Sequence, residues 1–371
     1  MLCKFRVSNF KSFEDSFELD LTDTNGYGFN KDCVKNGIVN NAIVYGHNGV
    51  GKSNLALAIF DIIEHLTDKF RNELAYDHYL NAYSQSDEAE FYYEFLINSK
   101  IVTYEYRKTD YKTIVYEKFT IDNEELVYFD RKKDSNAIIK FEGAEMLKTE
   151  INNSELSVLK YIRNNTDLAL NPVNTAFVDF FKFIDCMLYF RSLQSPTYMG
   201  LEKGIRNVME DIIDKGNVDD FESFLNRAGI ECKLDVIDEL DVKSLVLDFN
   251  GKKLPFASLM STGTNALTLF YYWFQSIRQE YKVSFLFIDE FDAFYHHELS
   301  TLVVDELKKT GVQFVLTTHN TAILTNDLLR PDCYFLMNKK KIRSLSKCTS
   351  KELREAHNIE KMYKAKSFNV D

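Results

Sequence analysis

The residues best placed to do chemistry sit at the ends of apolar runs. FLFIDEFDAF, residues 285 to 294, is an apolar run, Phe285 to Ile288, closed by two adjacent carboxylates, Asp289 and Glu290. No basic residue lies within that run. Two like charges so close destabilise each other unless a proton or a cation sits between them. A buried strand ending this way is either a solvated loop end or a site, and the other motifs decide between them.

Gly46-His-Asn-Gly-Val-Gly51-Lys52-Ser53 fits the pattern G-x-x-x-x-G-K-[ST]. An apolar stretch, Ala42 to Tyr45, precedes it and a helix-patterned stretch follows. Glycines let backbone N–H groups curl around a phosphate, and a helix N-terminus adds positive partial charge. Lys52 is positioned for the terminal phosphates and Ser53 for Mg²⁺. The cofactors this implies are ATP and Mg²⁺. Such a site uses a strand-end acid to support the metal, and Asp289 takes that role. Glu290, one residue further, is expected to face the other way along the strand and to orient and deprotonate the attacking water.

Two more stretches fit the same machine. Ser261-Thr-Gly-Thr264 precedes the helix-patterned ALTLFYYWFQSI. A helix starting in Ser-x-Gly presents an anion-binding end, although Ser, Thr and Gly are also ordinary helix starters. In a chain with one P-loop, a second phosphate-facing end serves the nucleotide of a second subunit. FVLTTHN places His319 just past an apolar strand, within reach of a γ-phosphate.

These residues need a frame. Residues 2 to 7 and 16 to 21 alternate apolar and polar, as strands do. Leu55, Ile59, Ile62, Ile63 and Leu66 form one face of a helix expected over residues 52 to 66. EFYYEFLI, IVTYEYRK, TIVYEKFTI and ELVYFD read as an antiparallel meander over residues 90 to 129, broken at Asn-Ser, Thr-Asp and Asp-Asn. Residues 141 to 235 read as mainly helical. LVLDFN, SFLFID, QFVLTT and CYFLMN then alternate with helical segments, one after Gly263 and one near 296 to 309, which suggests a parallel sheet covered by helices. The fold class expected is α/β. One domain is expected over residues 1–371, with a P-loop and meander lobe (1–140), a helical insertion (141–235) and a lobe carrying the Ser-x-Gly helix, the Asp-Glu strand and His319 (236–371).

The chain has 371 residues, is 45% apolar and 27% charged, and carries a net charge of −11. This is ordinary globular composition. The acidic balance argues against a general nucleic-acid binder; Lys339, Lys340, Lys341 and Arg343 form one local basic run. The six cysteines have no CxxC spacing, against a zinc ribbon or disulfide framework and in favour of reduced thiols. The opening MLCKFRVSNF is neither a signal nor a transit peptide, and no apolar run approaches a membrane span. A cytoplasmic protein without a membrane partner is expected.

Taken in order, the P-loop, the Ser-x-Gly helix, the Asp-Glu strand end and the strand-end His resemble the ABC-type ATPases. Within these, the chain is similar to the group without membrane domains, near SMC and RecF proteins. It most resembles OLD-like AAA ATPases of bacterial anti-phage and mobile-element systems. VSNFKSFEDSFELDL resembles that group's N-terminal strand pair, the Tyr-rich meander its β lobe, and IEKMYKAKSF its C-terminal tail. The resemblance covers nearly the whole chain and is weakest over 61 to 89 and 141 to 235. It implies that Gly46, Asn48, Gly49, Gly51, Lys52, Ser53 and Asn54 hold the phosphates. It places Lys11 and Ser12 in a strand beside the nucleotide. Asp289 supports Mg²⁺, Glu290 is the general base, and Ser261 and Gly263 reach the partner's γ-phosphate. Asp292 lies in the loop joining the two sites, and His319 is the switch. The implied partners are a second copy of the chain, closing head-to-tail, and a neighbour-encoded effector protein.

The chain also departs from the pattern. The Ser-x-Gly element reads MSTGT, Phe291 stands where transporters usually have Pro, and HHEL lacks a Pro common after that His. Gln194 in RSLQSP is a weak match for the glutamine that senses Mg²⁺. About fifty residues follow His319, which is short for a Toprim nuclease domain. Arg71 and His78 have the loose spacing of an Arg-x-His nuclease, and Asp292, His296 and His297 could suggest a metal; a surface pair and a plain helix start explain them as well. A DNA-maintenance ATPase of the RecF type is the alternative to a sensor or scaffold of a defence system.

Overall fold

The computed structural model describes residues 1–69, 73–191, 198–199, 208–239, 242–279, 283–293 and 297–370. Two large sheets form its frame. The central one runs, edge to edge, Tyr198–Met199, Met187–Arg191, Phe285–Asp289, Gln313–Thr318, Asn41–Tyr45, Tyr334–Met337 and Ile342–Ser344. Its five inner strands are parallel. The runs NAIVY, FLFID, QFVLTT and YFLM are buried along their whole length. Strands apolar on both faces need cover on both, and a parallel sheet supplies it.

The second sheet is antiparallel, ordered Ile138–Ile139, Glu124–Asp130, Ile114–Ile121, Lys100–Lys108, Ala89–Ile97, Leu2–Ser8 and Phe17–Asp20. Ala89–Ile97 and Lys100–Lys108 alternate buried and partly exposed residues, as one covered face requires. Asn98-Ser99 and Asp122-Asn123 all take positive φ at the two hairpin turns, which matches the twist of the flanking strands. Gln313 ties the two sheets together. Its side chain accepts from Leu2 N–H at 2.8 Å and donates to Leu2 C=O at 2.8 Å and Val39 C=O at 3.0 Å.

The helix Lys52–Leu66 is sandwiched between the sheets. On one side, the Phe60 ring packs on Phe285 and Tyr189 of the central sheet. On the other, the Tyr93 hydroxyl donates to Ala58 C=O at 2.9 Å. Here Asp61 and Lys108, both fully buried, pair at 2.7 Å. The Asp61 carboxylate also accepts from the Tyr79 and Tyr106 hydroxyls. Removing one partner strands a buried charge. Lys108→Met is therefore expected to cost about 3–5 kcal/mol of stability. Urea unfolding should show this loss, and Asp61→Asn added to Lys108→Met should return part of it.

The structure corrects three expectations. The Asp-Glu strand does not lie in a lobe apart from the P-loop; Phe285–Asp289 and Asn41–Tyr45 flank Gln313–Thr318 in one sheet. The stretch read as mainly helical contributes Met187–Arg191 to that sheet, beside Phe285–Asp289. Its five residues lie between helices and are too few to show a period. Lys11 and Ser12 lie not in a strand but in the tight turn after Leu2–Ser8, with Lys11 at φ 47°.

Candidate active site

The parallel strands bring their C-terminal ends to one edge, where open α/β sheets place ligands. Asn41–Tyr45 delivers the loop Gly46–Gly51, and the loop delivers the helix starting at Lys52. Gly49 and Gly51 have φ of 77° and 105°. A Cβ on Gly51 would come 2.7 Å from Ser12 Oγ. His47, Asn48 and Gly49 are exposed. The Lys52 ammonium bridges the loop, donating to Gly46 C=O at 2.6 Å and His47 C=O at 3.1 Å. Burial holds this ammonium below its ordinary pKa, partly offset by Asp289, Glu290 and Asp292. This is a cradle of the right donor type for phosphate. Gly51→Ala should lose it: with both φ and space against a side chain, nucleotide affinity is expected to fall about 10-fold or more, read by calorimetry.

The residues expected to support a metal meet across the sheet. The Ser53 hydroxyl donates to Asp289 Oδ2 at 2.6 Å, and the Thr317 hydroxyl to Asp289 Oδ1 at 2.6 Å. Asp289 is fully buried. A hydroxyl and a carboxylate converging at the helix start fit Mg²⁺, which takes oxygen ligands and bridges to phosphates.

Glu290 departs from the expected alternation. The strand ends at Asp289, and Glu290 turns into the left-handed region at φ 48°. Its N–H donates to Thr317 Oγ1 at 2.8 Å, and the Phe291 N–H to Thr317 C=O. A non-glycine residue held there marks a position fixed by its surroundings. As a result both carboxylates face one guanidinium. Arg191 lies 3.2 Å from Asp289 Oδ2 through Nε and 3.2 Å from Glu290 Oε2 through Nη2. Parallel pairing places Arg191 directly beside Asp289.

The neighbouring strand end is equally ordered. Both Asp292 oxygens accept from the buried Thr318 hydroxyl at 2.8 Å. Burial raises the Asp292 pKa, against the lowering effects of Thr318 and of His319 nearby. His319 itself is exposed, one residue past Gln313–Thr318.

Not every anticipated residue reaches this cluster. Ser12 does: it accepts from the Asn54 side chain at 2.8 Å. Lys11 turns away, its ammonium donating to Asp77 C=O at 2.8 Å. Ser261 caps its helix by accepting from Thr264 N–H at 3.1 Å, and both Ser261 and Thr262 are exposed, with Gly263 partly so. The Ser261 hydroxyl also pairs with the Thr264 hydroxyl at 2.9 Å, so its side-chain hydrogen bonds are local. Gln194, Arg71 and His296 lie outside the described residues; His78 is exposed at φ 53°. Among the described residues no group of acidic, His and Cys side chains could hold a metal by itself.

Sequence reasoning missed Arg191, Thr317 and Thr318. Each carried a signal. MLYFR is an apolar run closed by a charge, like FLFIDE, and VLTTHN sets two hydroxyls at the end of an apolar strand.

Residues 42–325 match the family described as "AAA domain, putative AbiEii toxin, Type IV TA system". That span is most of the chain, so the chain belongs to this family. Among solved structures, an SMC head domain from Thermotoga maritima is 15% identical, with 92% of this chain and 98% of that one covered and a TM-score of 0.44. An Smc head bound to the C-terminal winged-helix domain of ScpA is 15% identical, covering 93% and 98%, with a TM-score of 0.46. An Smc head with an extended coiled coil, bound to the C-terminal domain of ScpA and derived from Pyrococcus furiosus, is 11% identical, covering 93% and 97%, with a TM-score of 0.45. No curated protein matches the chain.

Proposed function

We propose that this chain is a Mg²⁺-ATP-dependent ATPase that pairs head-to-tail with a second copy and acts as the sensor or scaffold for a partner effector, in the manner of OLD-like anti-phage systems. The observation that carries the ATPase reading is the convergence of Ser53, Asp289 and Glu290 at the end of the loop that holds Lys52. Loop N–H groups and Lys52 bind and orient the triphosphate. Ser53 and Asp289 would hold Mg²⁺, which when bound offsets charge on the phosphate oxygens. Glu290, fixed at its turn by Thr317, accepts the proton of the attacking water. Thr318 steadies Asp292, and the exposed His319 reads the γ-phosphate. Ser261 and Gly263 contribute to the site of the second copy. Because ATP then touches both subunits only when they are closed, it shifts the population toward the closed pair.

The partner reading has support in the family description, which names a toxin and a toxin–antitoxin system. Its test is affinity purification of the Glu290→Gln protein from its native host with Mg²⁺-ATP, followed by mass spectrometry. A stoichiometric protein encoded beside it supports the sensor role; the ATPase alone, or with nucleic acid, overturns it.

One observation favours a second reading, DNA maintenance. Lys339, Lys340, Lys341 and Arg343 are exposed around the turn before Ile342–Ser344. The adjoining groove carries Lys340, Lys341 and Arg343, but also Glu18, Asp20 and Asp23, which weakens it as a phosphate track. Salt-sensitive DNA binding lost on neutralising the four basic residues would support it.

A further inference from the structure

The adjacent carboxylates Asp289 and Glu290 face a cation on the neighbouring strand. Arg191 ends Met187–Arg191, and register fixes it opposite Asp289. Its side chain is 28% exposed, whereas that of Asp289 is fully buried. One guanidinium thus spans both acids, 3.2 Å from an oxygen of each. The Nε contact with Asp289 is a charge contact without hydrogen-bond alignment. It is therefore held by electrostatics rather than by a locked fork, and such a contact can be exchanged for another cation.

The oxygen involved matters. Asp289 Oδ2 is both the atom nearest Arg191 Nε and the acceptor of the Ser53 hydroxyl. A Mg²⁺ ion supported by Ser53 and Asp289 needs that same corner. It would also meet the fixed positive charge of Arg191 within a few ångströms, and like charges in a partly buried site repel strongly.

We infer that Arg191 is an internal counter-cation for Asp289 and Glu290, which Mg²⁺ must displace when the nucleotide loads. The inference rests on the Mg²⁺-ATP reading of this site. Its consequence is a threshold. At low Mg²⁺ the guanidinium offsets part of the pair's charge and stays engaged with both acids. Above the threshold the divalent ion takes over Asp289, and the guanidinium no longer spans the pair. Arg191 is thus a positioning residue that sets how much Mg²⁺ the site demands, and the pair it balances is the one the reaction uses.

The test uses the full-length chain and its Arg191→Met and Arg191→Lys variants. Binding of a fluorescent, non-hydrolysable ATP analogue is titrated with Mg²⁺, and melting is followed without nucleotide in EDTA and in Mg²⁺. For Arg191→Met, the half-saturating Mg²⁺ concentration is expected to fall by up to about 5-fold, as for loss of one competing ion pair. Its melting temperature in EDTA should drop below that of the wild type, and Mg²⁺ should raise it by more. Arg191→Lys, with one shorter point charge, should fall between. A Mg²⁺ curve for Arg191→Met that coincides with the wild type, or moves to higher Mg²⁺, overturns the inference while leaving the ATPase reading intact. If Arg191→Met does not fold, the Arg191→Lys curve decides by the same criterion. A wild type that binds the analogue at no Mg²⁺ concentration overturns the ATPase reading and the inference with it.

Discussion

Glu290→Gln is expected to lower ATP turnover by about 10²–10⁴-fold, the usual contribution of a general base, while nucleotide binding persists. The substitution keeps the size and shape of the side chain. It removes the negative charge that would accept the proton in the proposed reaction and that faces Arg191 Nη2 at 3.2 Å. The turn should survive, because the N–H of residue 290, which donates to Thr317 at φ 48°, is unchanged by the substitution. Phosphate release and retained nucleotide, measured on the same sample, check both halves. With hydrolysis blocked, the Mg²⁺-ATP state should also accumulate as a closed pair.

Lys52→Ala carries the second large effect, and it acts one step earlier. Lys52 is 5% exposed and its ammonium rests on two loop carbonyls. Burial already disfavours its charge. A triphosphate would offer that ammonium a far better partner than a carbonyl, because hydrogen bonds between charged groups are roughly twice as strong as neutral ones. Loss of the charge is expected to weaken Mg²⁺-ATP binding about 100-fold or more, from two charged contacts at about 1.5–3 kcal/mol each. Calorimetry with Mg²⁺-ATP measures it directly. The fold should hold, since among the described residues the removed group is hydrogen-bonded to two carbonyls of its own loop, one of them on the exposed His47.

The contrast between these two residues shows what was legible in the sequence. The P-loop is a local device: its glycines, lysine and serine are consecutive, so spacing alone identifies it. The Asp-Glu pair was equally visible, because an apolar run ending in two acids is unusual in itself. The Tyr-rich meander announced its strands and its hairpins through Asn-Ser and Asp-Asn. What sequence could not supply was adjacency between strands far apart in the chain. Arg191 is 98 residues from Asp289, and only the parallel register makes them neighbours. The same blindness placed the Asp-Glu strand in a lobe of its own. Glu290 failed differently. Period-2 alternation predicts opposite faces for consecutive residues, but Thr317 ends the strand with two hydrogen bonds and turns Glu290 back. Lys11 failed because its turn, tied to Tyr79 and Asp77, aims the side chain away from the loop.

Head-to-tail pairing would have each active site completed by the other copy of the chain. It predicts that two dead proteins restore one live site when mixed. Lys52→Ala removes a chain's own phosphate grip but leaves its Ser261 helix intact. Ser261→Arg would spoil the helix end offered to a partner but leaves the P-loop intact; Ser261 is exposed and, among the described residues, its side chain bonds only to Thr264, so the chain should still fold. In a mixed pair, the P-loop of the Ser261→Arg chain faces the intact helix of the Lys52→Ala chain. ATP turnover of the mixture well above that of either variant alone is the predicted result. A mixture as inactive as its two components, from proteins that each remain folded, would contradict the head-to-tail pair. So would a Ser261→Arg protein that hydrolyses ATP at the wild-type rate by itself.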